Sequence, residues 1–368
     1  MSKPKKIIHV LGAMNIGGIE SWLMNILRTS DRNLYEHDFL VHKAEKAYFD
    51  EEIKSLGSHK YVCDLSKNLF IYLFYLFFFL KKIKPDVVHS HVHDFSGLVL
   101  MIAWLVGVKT RISHSHSDTR LNEAKAGFSR KLYLKMMKKL ISIFSTSCLA
   151  VSDEAACALY GENWKNKPKC KVIYCGINYE KFKNVDRTID YRRDLEIPLN
   201  AKIIGHVGRL EKPKNHAFLL KILYELRKSH PEYYLVMVGD GTLRQDLEAQ
   251  VDILGISPYV RFLGNRSDIP EIMVNLFDIF VFPSLWEGLP LTLVEAQFAN
   301  LKCLVSNQVT NECNLGSIEY LSLENISTWI NKLESCEKNL INYVNYENSK
   351  FNLKISQQLI IKEYEVNF

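Results

Sequence analysis

The sequence predicts an α/β protein made of two doubly wound units, each a parallel sheet with helices on both faces. Three observations predict it. Short β-like runs alternate with helix-like runs along most of the 368 residues, a pattern that gives parallel sheets covered on both sides. The alternation pauses around Lys171-Val-Ile-Tyr-Cys-Gly-Ile-Asn178, passes through a more polar segment from Tyr179 to Asn200, and restarts at Lys202. Several of the β-like runs lead directly into glycine loops, the place where such sheets bind their ligands. The domain boundaries that follow are 1–178 and 179–349.

Taken in order, Lys6–Leu11 reads as a buried strand and Gly12 to Gly18 as a loop. A helix then opens with apolar positions Ile19, Trp22, Leu23, Ile26 and Leu27 on one face. Further strands are expected at Tyr35–Val41, Asp86–His89, Thr110–Ser113 and Ser147–Val151, with helices between them. In the second half the order is strand Lys202–Val207, helix His216–Lys228, strand Tyr234–Val238 and helix Leu243–Leu254. Strands Val260–Phe262 and Ile279–Phe282, helix Pro290–Ala299 and a last strand Cys303–Val305 complete it. From Lys332 to Phe368 the chain reads mainly as helix with Asn-rich interruptions.

Composition narrows the function. A hydrophobic content of 47% with 24% charged residues is that of a globular chain. The net charge of +6 is too modest to call for nucleic acid, yet suits an anionic surface if the cations cluster. Eight cysteines without a Cys-x-x-Cys pair indicate buried free thiols rather than a zinc site or disulfide framework. No signal peptide is visible, and the longest apolar run, Leu69–Leu80, is short of the ~20 residues of a membrane-spanning helix. A cytoplasmic protein, peripheral at the inner face of the cell membrane, is expected.

Four loops of the second half carry the chemistry. Gly208-Arg-Leu-Glu-Lys-Pro-Lys-Asn215 follows a strand and can present Arg209 and Lys214 to one diphosphate; read alone, it is equally a solvated basic turn. Val238-Gly-Asp-Gly-Thr-Leu-Arg244 brings Gly239 to a strand end, as a phosphate loop or a plain β-to-α turn. Phe262-Leu-Gly-Asn265 places Gly264 and Asn265 where backbone amides would lie beside a flat base. The fourth, Phe282-Pro-Ser-Leu-Trp-Glu-Gly-Leu-Pro-Leu-Thr-Leu-Val-Glu-Ala296, predicts a helix starting at Pro290, with the amides of Leu291, Thr292 and Leu293 free to seat a phosphate. Glu295 within that helix can accept from a ribose diol, while Glu287 in the loop reaches a sugar. As a bare carboxylate pair they would also suit the acid and base of a glycosidase, which leaves the basic loop unexplained.

Glu-x7-Glu after Pro-Ser, preceded by Gly-Arg-Leu-x3-Lys-Asn and Gly-Asp-Gly, resembles the retaining glycosyltransferases of the GT-B fold, family 4, also called glycosyltransferase group 1, of the surface-polysaccharide type. The likeness runs from about residue 6 to residue 330. It implies two Rossmann-like domains with parallel sheets facing across a cleft. The first would bind the acceptor, the second the nucleotide sugar, and a helix over about 350–368 would pack back on the first. It further implies Arg209 and Lys214 on the diphosphate, Glu295 on the ribose and Glu287, with Gly288 and Leu289 beside it, on the transferred sugar. Gly17 and Gly18 of Gly17-Gly-Ile-Glu-Ser-Trp22 would approach the donor phosphate. His116 would face the donor sugar, with His114 and His91 toward the acceptor.

The implied reaction moves a hexosyl or N-acetylhexosaminyl group from a nucleotide sugar, UDP-sugar foremost, to a glycan or polyprenyl-linked sugar. Capsule, exopolysaccharide or O-antigen synthesis is the setting. The chain contains no Asp-x-Asp, which agrees with a diphosphate held by protein cations and no required metal or other cofactor. The His89-Ser-His-Val-His93 and His114-Ser-His116 runs suggest a metal, but no acidic or cysteine ligand accompanies them in sequence, and none is expected. Arg130–Ile141 is basic and amphipathic, suited to a membrane interface, whereas Leu69–Leu80 reads as a sheet-covering helix. Two alternatives share the fold: a sugar-nucleotide epimerase, and a non-catalytic relative, against which the intact cations and glutamates argue.

Overall fold

The computed structural model describes residues 3–66, 68–336 and 346–366. The chain divides into two compact units, residues 1–177 with 350–368, and residues 178–349.

The first unit holds strands β1 (Lys5–Leu11), β2 (Tyr35–Val41), β3 (Lys60–Val62), β4 (Val87–Ser90), β5 (Thr110–Ser115), β6 (Ser147–Ala150) and β7 (Cys170–Val172). Helices α1 (Gly18–Thr29), α2 (Asp50–Ser55), α3 (Leu69–Ile83), α4 (Ser96–Leu105), α5 (Arg120–Ala124), α6 (Phe128–Phe144) and α7 (Asp153–Tyr160) alternate with them. All strands are parallel, in the order β3-β2-β1-β4-β5-β6-β7. The chain winds one way from β1 and then the other, so the β1 and β4 ends form a topological switch point. Side chains alternate between faces. One face is aliphatic, with Ile8, Val10, Leu40 and Val88 packed under Tyr72, Leu76 and Leu80 of α3 and Val99, Ile102 and Ala103 of α4. The opposite face carries His9, His37, His89 and His114, all buried, with Trp22 of α1 against His114 and Tyr364 of the C-terminal helix Leu353–Glu365 against His37 and His89.

That helix is tied to the unit at several points. Trp22 donates from Nε1 to Ser356 Oγ, and Lys171 pairs with Glu363 at 2.6 Å. Its approach is set by a parallel bridge between Ile177 and Asn352. A Cβ on Gly176 would lie 2.5 Å from the Leu353 Cα, so only glycine lets the outgoing and returning segments lie this close.

The second unit contains α8 (Glu180–Lys183), α9 (Tyr191–Asp194), β8 (Lys202–Val207), α10 (His216–Leu226), β9 (Tyr233–Val238), α11 (Arg244–Ile253) and β10 (Val260–Phe262). It continues through α12 (Ile269–Asn275), β11 (Ile279–Phe282), α13 (Leu291–Phe298), β12 (Cys303–Ser306), β13 (Ile318–Leu321) and α14 (Ile326–Glu334). Its sheet is also all parallel, ordered β10-β9-β8-β11-β12-β13, with the switch point at β8 and β11.

The structure adds three strands to the expected set. β3, β7 and β13 are edge strands of three or four residues, too short for periodicity to show. Cys303–Ser306 is therefore not the last strand. The helical reading of the tail holds for α14 and Leu353–Glu365; residues 337–345 and 367–368 lie outside the described residues. No helix among the described residues is long and apolar enough to cross a membrane.

Candidate active site

The chemistry-bearing loops of the second unit interlock at the C-terminal ends of its strands. The β8 loop is bonded to the β9 loop through Leu210 N to Asp240 O at 3.0 Å and Leu243 N to Leu210 O at 3.0 Å. The β9 loop is bonded to the β10 loop through Gly239 N to Gly264 O at 2.8 Å. The β11 loop joins the β8 loop through Leu285 N to Pro213 O at 2.8 Å, and Asn215 Nδ2 donates to Pro283 O at 3.1 Å. Gly239 makes this meshing possible. Its φ is +130°, and a Cβ there would lie 2.1 Å from the Gly208 carbonyl oxygen.

Within this frame Lys214 and Glu287, 73 positions apart, form an ion pair at 2.7 Å. Both side chains are largely buried, and Lys214 Nζ stands 4.8 Å from the Phe282 ring centre. The expected diphosphate cation and the expected sugar carboxylate thus hold one another. Arg209, by contrast, is exposed on the same loop. A short 3₁₀ turn over Lys212–Lys214 and a left-handed Asn215, with φ 56°, aim Lys214 inward. Behind it His206 and His216 meet edge to face at 4.7 Å. Burial first, and the Lys214 charge second, push the His216 imidazole down to about 4, so it stays neutral beside the cation.

Helix α13 begins one residue later than the sequence suggests. Pro290 precedes it as the N-cap, with φ −77° and ψ 95°. Its carbonyl accepts from Leu293 N at 3.1 Å. Leu293 therefore has no free amide for a phosphate, and that expected contact is withdrawn. Among the described residues Leu291 and Thr292 have no backbone partner for their amides. Thr292 Oγ1 and Ser284 Oγ, from the same loop and helix start, are buried without a hydrogen-bond partner. A ligand with several acceptor oxygens would satisfy such a set. On α13, burial pushes the Glu295 carboxyl up to about 7, opposed only by the more weakly felt charge of Lys181. A group so poised gains from hydroxyl donors.

In the first unit Gly17 caps α1 in an extended conformation and Gly18 is its first residue. The histidines form an array across four strands. His37 Nδ1 lies 3.0 Å from His9 Nε2, His9 Nδ1 3.2 Å from His91 Nε2, and His91 Nδ1 2.9 Å from His116 Nε2. A second line runs from the Tyr364 hydroxyl to His89 Nδ1 at 2.9 Å and from His89 Nε2 to His114 Nδ1 at 3.1 Å. His91 and His114 thus lie buried inside the array, where neither offers an acceptor a solvent-facing nitrogen. Burial is the leading cause that lowers every ring of the array, that of His116 to about 3.

Known proteins share this organisation. Residues 16–181 match the model described as Glycosyltransferase Family 4, and residues 187–315 match Glycosyl transferases group 1. The chain is 35% identical over 337 residues to the putative glycosyltransferase EpsF of Bacillus subtilis, covering 89% of this chain and 86% of that one. The chain belongs to the group 1 glycosyltransferases of GT-B fold. It is also 30% identical over 308 residues to the UDP-Gal:α-D-GlcNAc-diphosphoundecaprenol α-1,3-galactosyltransferase of Escherichia coli, covering 78% of this chain and 75% of that one. Among solved structures, that of Anabaena HepE with UDP-glucose superposes with a TM-score of 0.77 at 18% identity, over 97% of this chain and 98% of that one.

The features of this glycosyltransferase that sequence reasoning missed are supports. Glu211 accepts from Thr242 N at 3.2 Å and Thr242 Oγ1 at 3.0 Å, bracing two loops. The His206–His216 pair shapes the floor beneath Lys214. Neither has a local signature, since each depends on segments that meet only through the sheet.

Proposed function

We propose that this glycosyltransferase moves a hexosyl or N-acetylhexosaminyl group from a UDP-sugar, with retention at the anomeric carbon, to a lipid-linked sugar in surface-polysaccharide synthesis. The observation that carries the donor half is the interlocked loop frame, which gathers Lys214, Glu287, the α13 N-terminus and Glu295 in one unit. In this reading Arg209, Lys214 and the amides of Leu291 and Thr292 hold the diphosphate, and no divalent ion is needed for that. Gly17 and Gly18 approach the donor phosphate, and Gly264 and Asn265 flank the base. Glu295 takes the ribose hydroxyls, and Glu287, with Gly288 and Leu289, the sugar.

The bond from the anomeric carbon to the UDP oxygen breaks while a bond to the acceptor hydroxyl oxygen forms on the same face. The acceptor proton passes to the departing β-phosphate oxygen. The positive charge around the diphosphate stabilises the departing anion. We assign the acceptor to the first unit and the sugar's hydroxyl contact to His116 Nδ1, a buried nitrogen with no protein partner among the described residues. The UDP-Gal in the name of the Escherichia coli relative and the UDP-glucose in complex with HepE support the nucleotide. The diphosphoundecaprenol acceptor of the former supports a lipid carrier.

A lipid carrier implies a membrane surface, and two helices suit one. α6 exposes Phe128, Leu132 and Met136 among Arg130, Lys131, Lys135 and Lys139. α3 covers the sheet with Tyr72, Leu76 and Leu80, as expected, yet leaves Phe70 81%, Phe74 62%, Tyr75 64% and Phe78 50% exposed. Its Lys81, Lys82 and Lys84 add the cations that anionic lipid attracts.

The test is a panel of UDP-, GDP- and ADP-sugars with a polyprenyl-diphosphate-linked sugar acceptor, followed by NMR of the product's anomeric proton. Transfer from UDP-sugars with retained configuration is expected, unaffected by chelator. Exclusive use of GDP- or ADP-sugars, or an inverted product, would overturn the reading.

A further inference from the structure

The histidine array ends in two ring nitrogens without a protein partner among the described residues. His9 and His89 have both ring nitrogens engaged. His114 Nε2 and His116 Nδ1 are buried and have no partner. One ring nitrogen from each of His91, His114 and His116 lies within 4.8 Å of the other two. The rings come from the ends of neighbouring strands β4 and β5, with His91↔His114 in line with the pairing of Ser90 and Ser113, so the sheet itself fixes their spacing.

We propose that His91, His114 and His116 form a three-histidine site for a borderline divalent transition metal, of the Zn²⁺ class, with water or a ligand oxygen in the fourth position. Tetrahedral bonds of about 2.0–2.1 Å to zinc place ligand nitrogens roughly 3.3 Å apart. The 2.9 Å between His91 Nδ1 and His116 Nε2 opens by less than half an ångström to meet that.

The tautomers agree, assigned from donor and acceptor logic. With the ion on His91 Nδ1, His114 Nε2 and His116 Nε2, each ring keeps one proton on its other nitrogen. His91 Nε2–H then donates to His9 Nδ1, and His9 Nε2–H to His37 Nδ1. His114 Nδ1–H donates to His89 Nε2, and His89 Nδ1–H to the Tyr364 oxygen. No histidine has to lose a proton. Ligating histidines with the second nitrogen held in this way are the rule in metal sites. Burial already keeps all these rings in the neutral, ligating form. His116 Nδ1–H, which has no protein partner among the described residues, remains available for the sugar contact assigned above.

The experiment uses the whole chain, stripped with chelator and then titrated with Zn²⁺ and with Co²⁺ as a spectroscopic substitute. One ion per chain and the intense visible absorption of tetrahedral Co²⁺ are expected. His114→Gln and His91→Gln should each abolish the spectrum. His9→Gln and His89→Gln, which keep the ligands and lose their supports, should weaken Zn²⁺ about 10- to 100-fold. His59→Ala and His230→Ala, outside the array, should bind as the parent does. Failure of the parent chain to bind one ion, or a Co²⁺ spectrum unchanged in the folded His114→Gln chain, would overturn the site. Metal content and spectrum are read without transferase assay, so the donor reading stands or falls separately.

Discussion

Glu295 makes the donor assignment measurable through pH. Burial raises its carboxyl from 4.5 to about 7. The ribose hydroxyls donate to the ionised form, so UDP affinity should rise with pH between about 6 and 8, with proton release detected by calorimetry in buffers of different ionisation enthalpy. Glu295→Gln should flatten that profile and weaken UDP about 10- to 100-fold, the range for hydrogen bonds to a charged group. The same shift has a stability side. A raised folded pKa contributes fully below 4.5 and is lost as pH climbs toward about 7, so Glu295→Gln should remove that part of the decline seen in denaturant melts. Lys214→Met should lower kcat about 10²- to 10³-fold, as for loss of a group stabilising developing charge. It also leaves Glu287 without its cation. Combining it with Glu287→Gln in a double-mutant cycle should show strong non-additivity. Glutamate spacing and the basic loop made these residues legible in the sequence. Their pairing was not, because 73 positions separate Lys214 from Glu287. The histidine array was hidden more deeply: its rings meet only through strand register, which no run of residues displays.

At the scale of elements, Gly239 carries the loop frame. Gly239→Ala forces a side chain into a φ of +130° and against the Gly208 carbonyl, which should destabilise the second unit by roughly 1–3 kcal/mol and reduce UDP binding with it; thermal melts and UDP titration read the two effects. On α3, Phe74→Ser with Phe78→Ser should abolish flotation with anionic liposomes and leave the melting temperature nearly unchanged, since both rings are more than half in solvent or close to it. Unchanged flotation would remove α3 from the membrane reading. The central strands were readable because they are short, mostly buried runs set between helix-like stretches, several of them, such as Lys202–Val207 and Tyr233–Val238, leading into a glycine turn. The edge strands β3, β7 and β13 were not, since half-exposed three- and four-residue runs carry no periodicity. In α3 the sequence showed an apolar run, and the structure shows that Tyr72, Leu76 and Leu80 are fully buried in it while Phe70, Phe74, Tyr75 and Phe78 stay exposed.

For the whole molecule, two units with separate cores predict two unfolding transitions in calorimetry. UDP should raise the transition of residues 178–349, which hold most of its assigned contacts, by about 2.7 kcal/mol at a hundredfold excess over Kd. Zn²⁺ should act on the other one. A Zn²⁺ effect on the transition of residues 178–349 alone would contradict the assignment of its site to the first unit.

The bridge between Ile177 and Asn352 makes the second unit an insertion within the first. During synthesis the inserted unit, complete by residue 349, leaves the ribosome before the helix that roofs the histidine face. The N-terminal sheet must wait with that face uncovered until residues 353–365 emerge. Covering that face is therefore the last native contact the emerging chain can make.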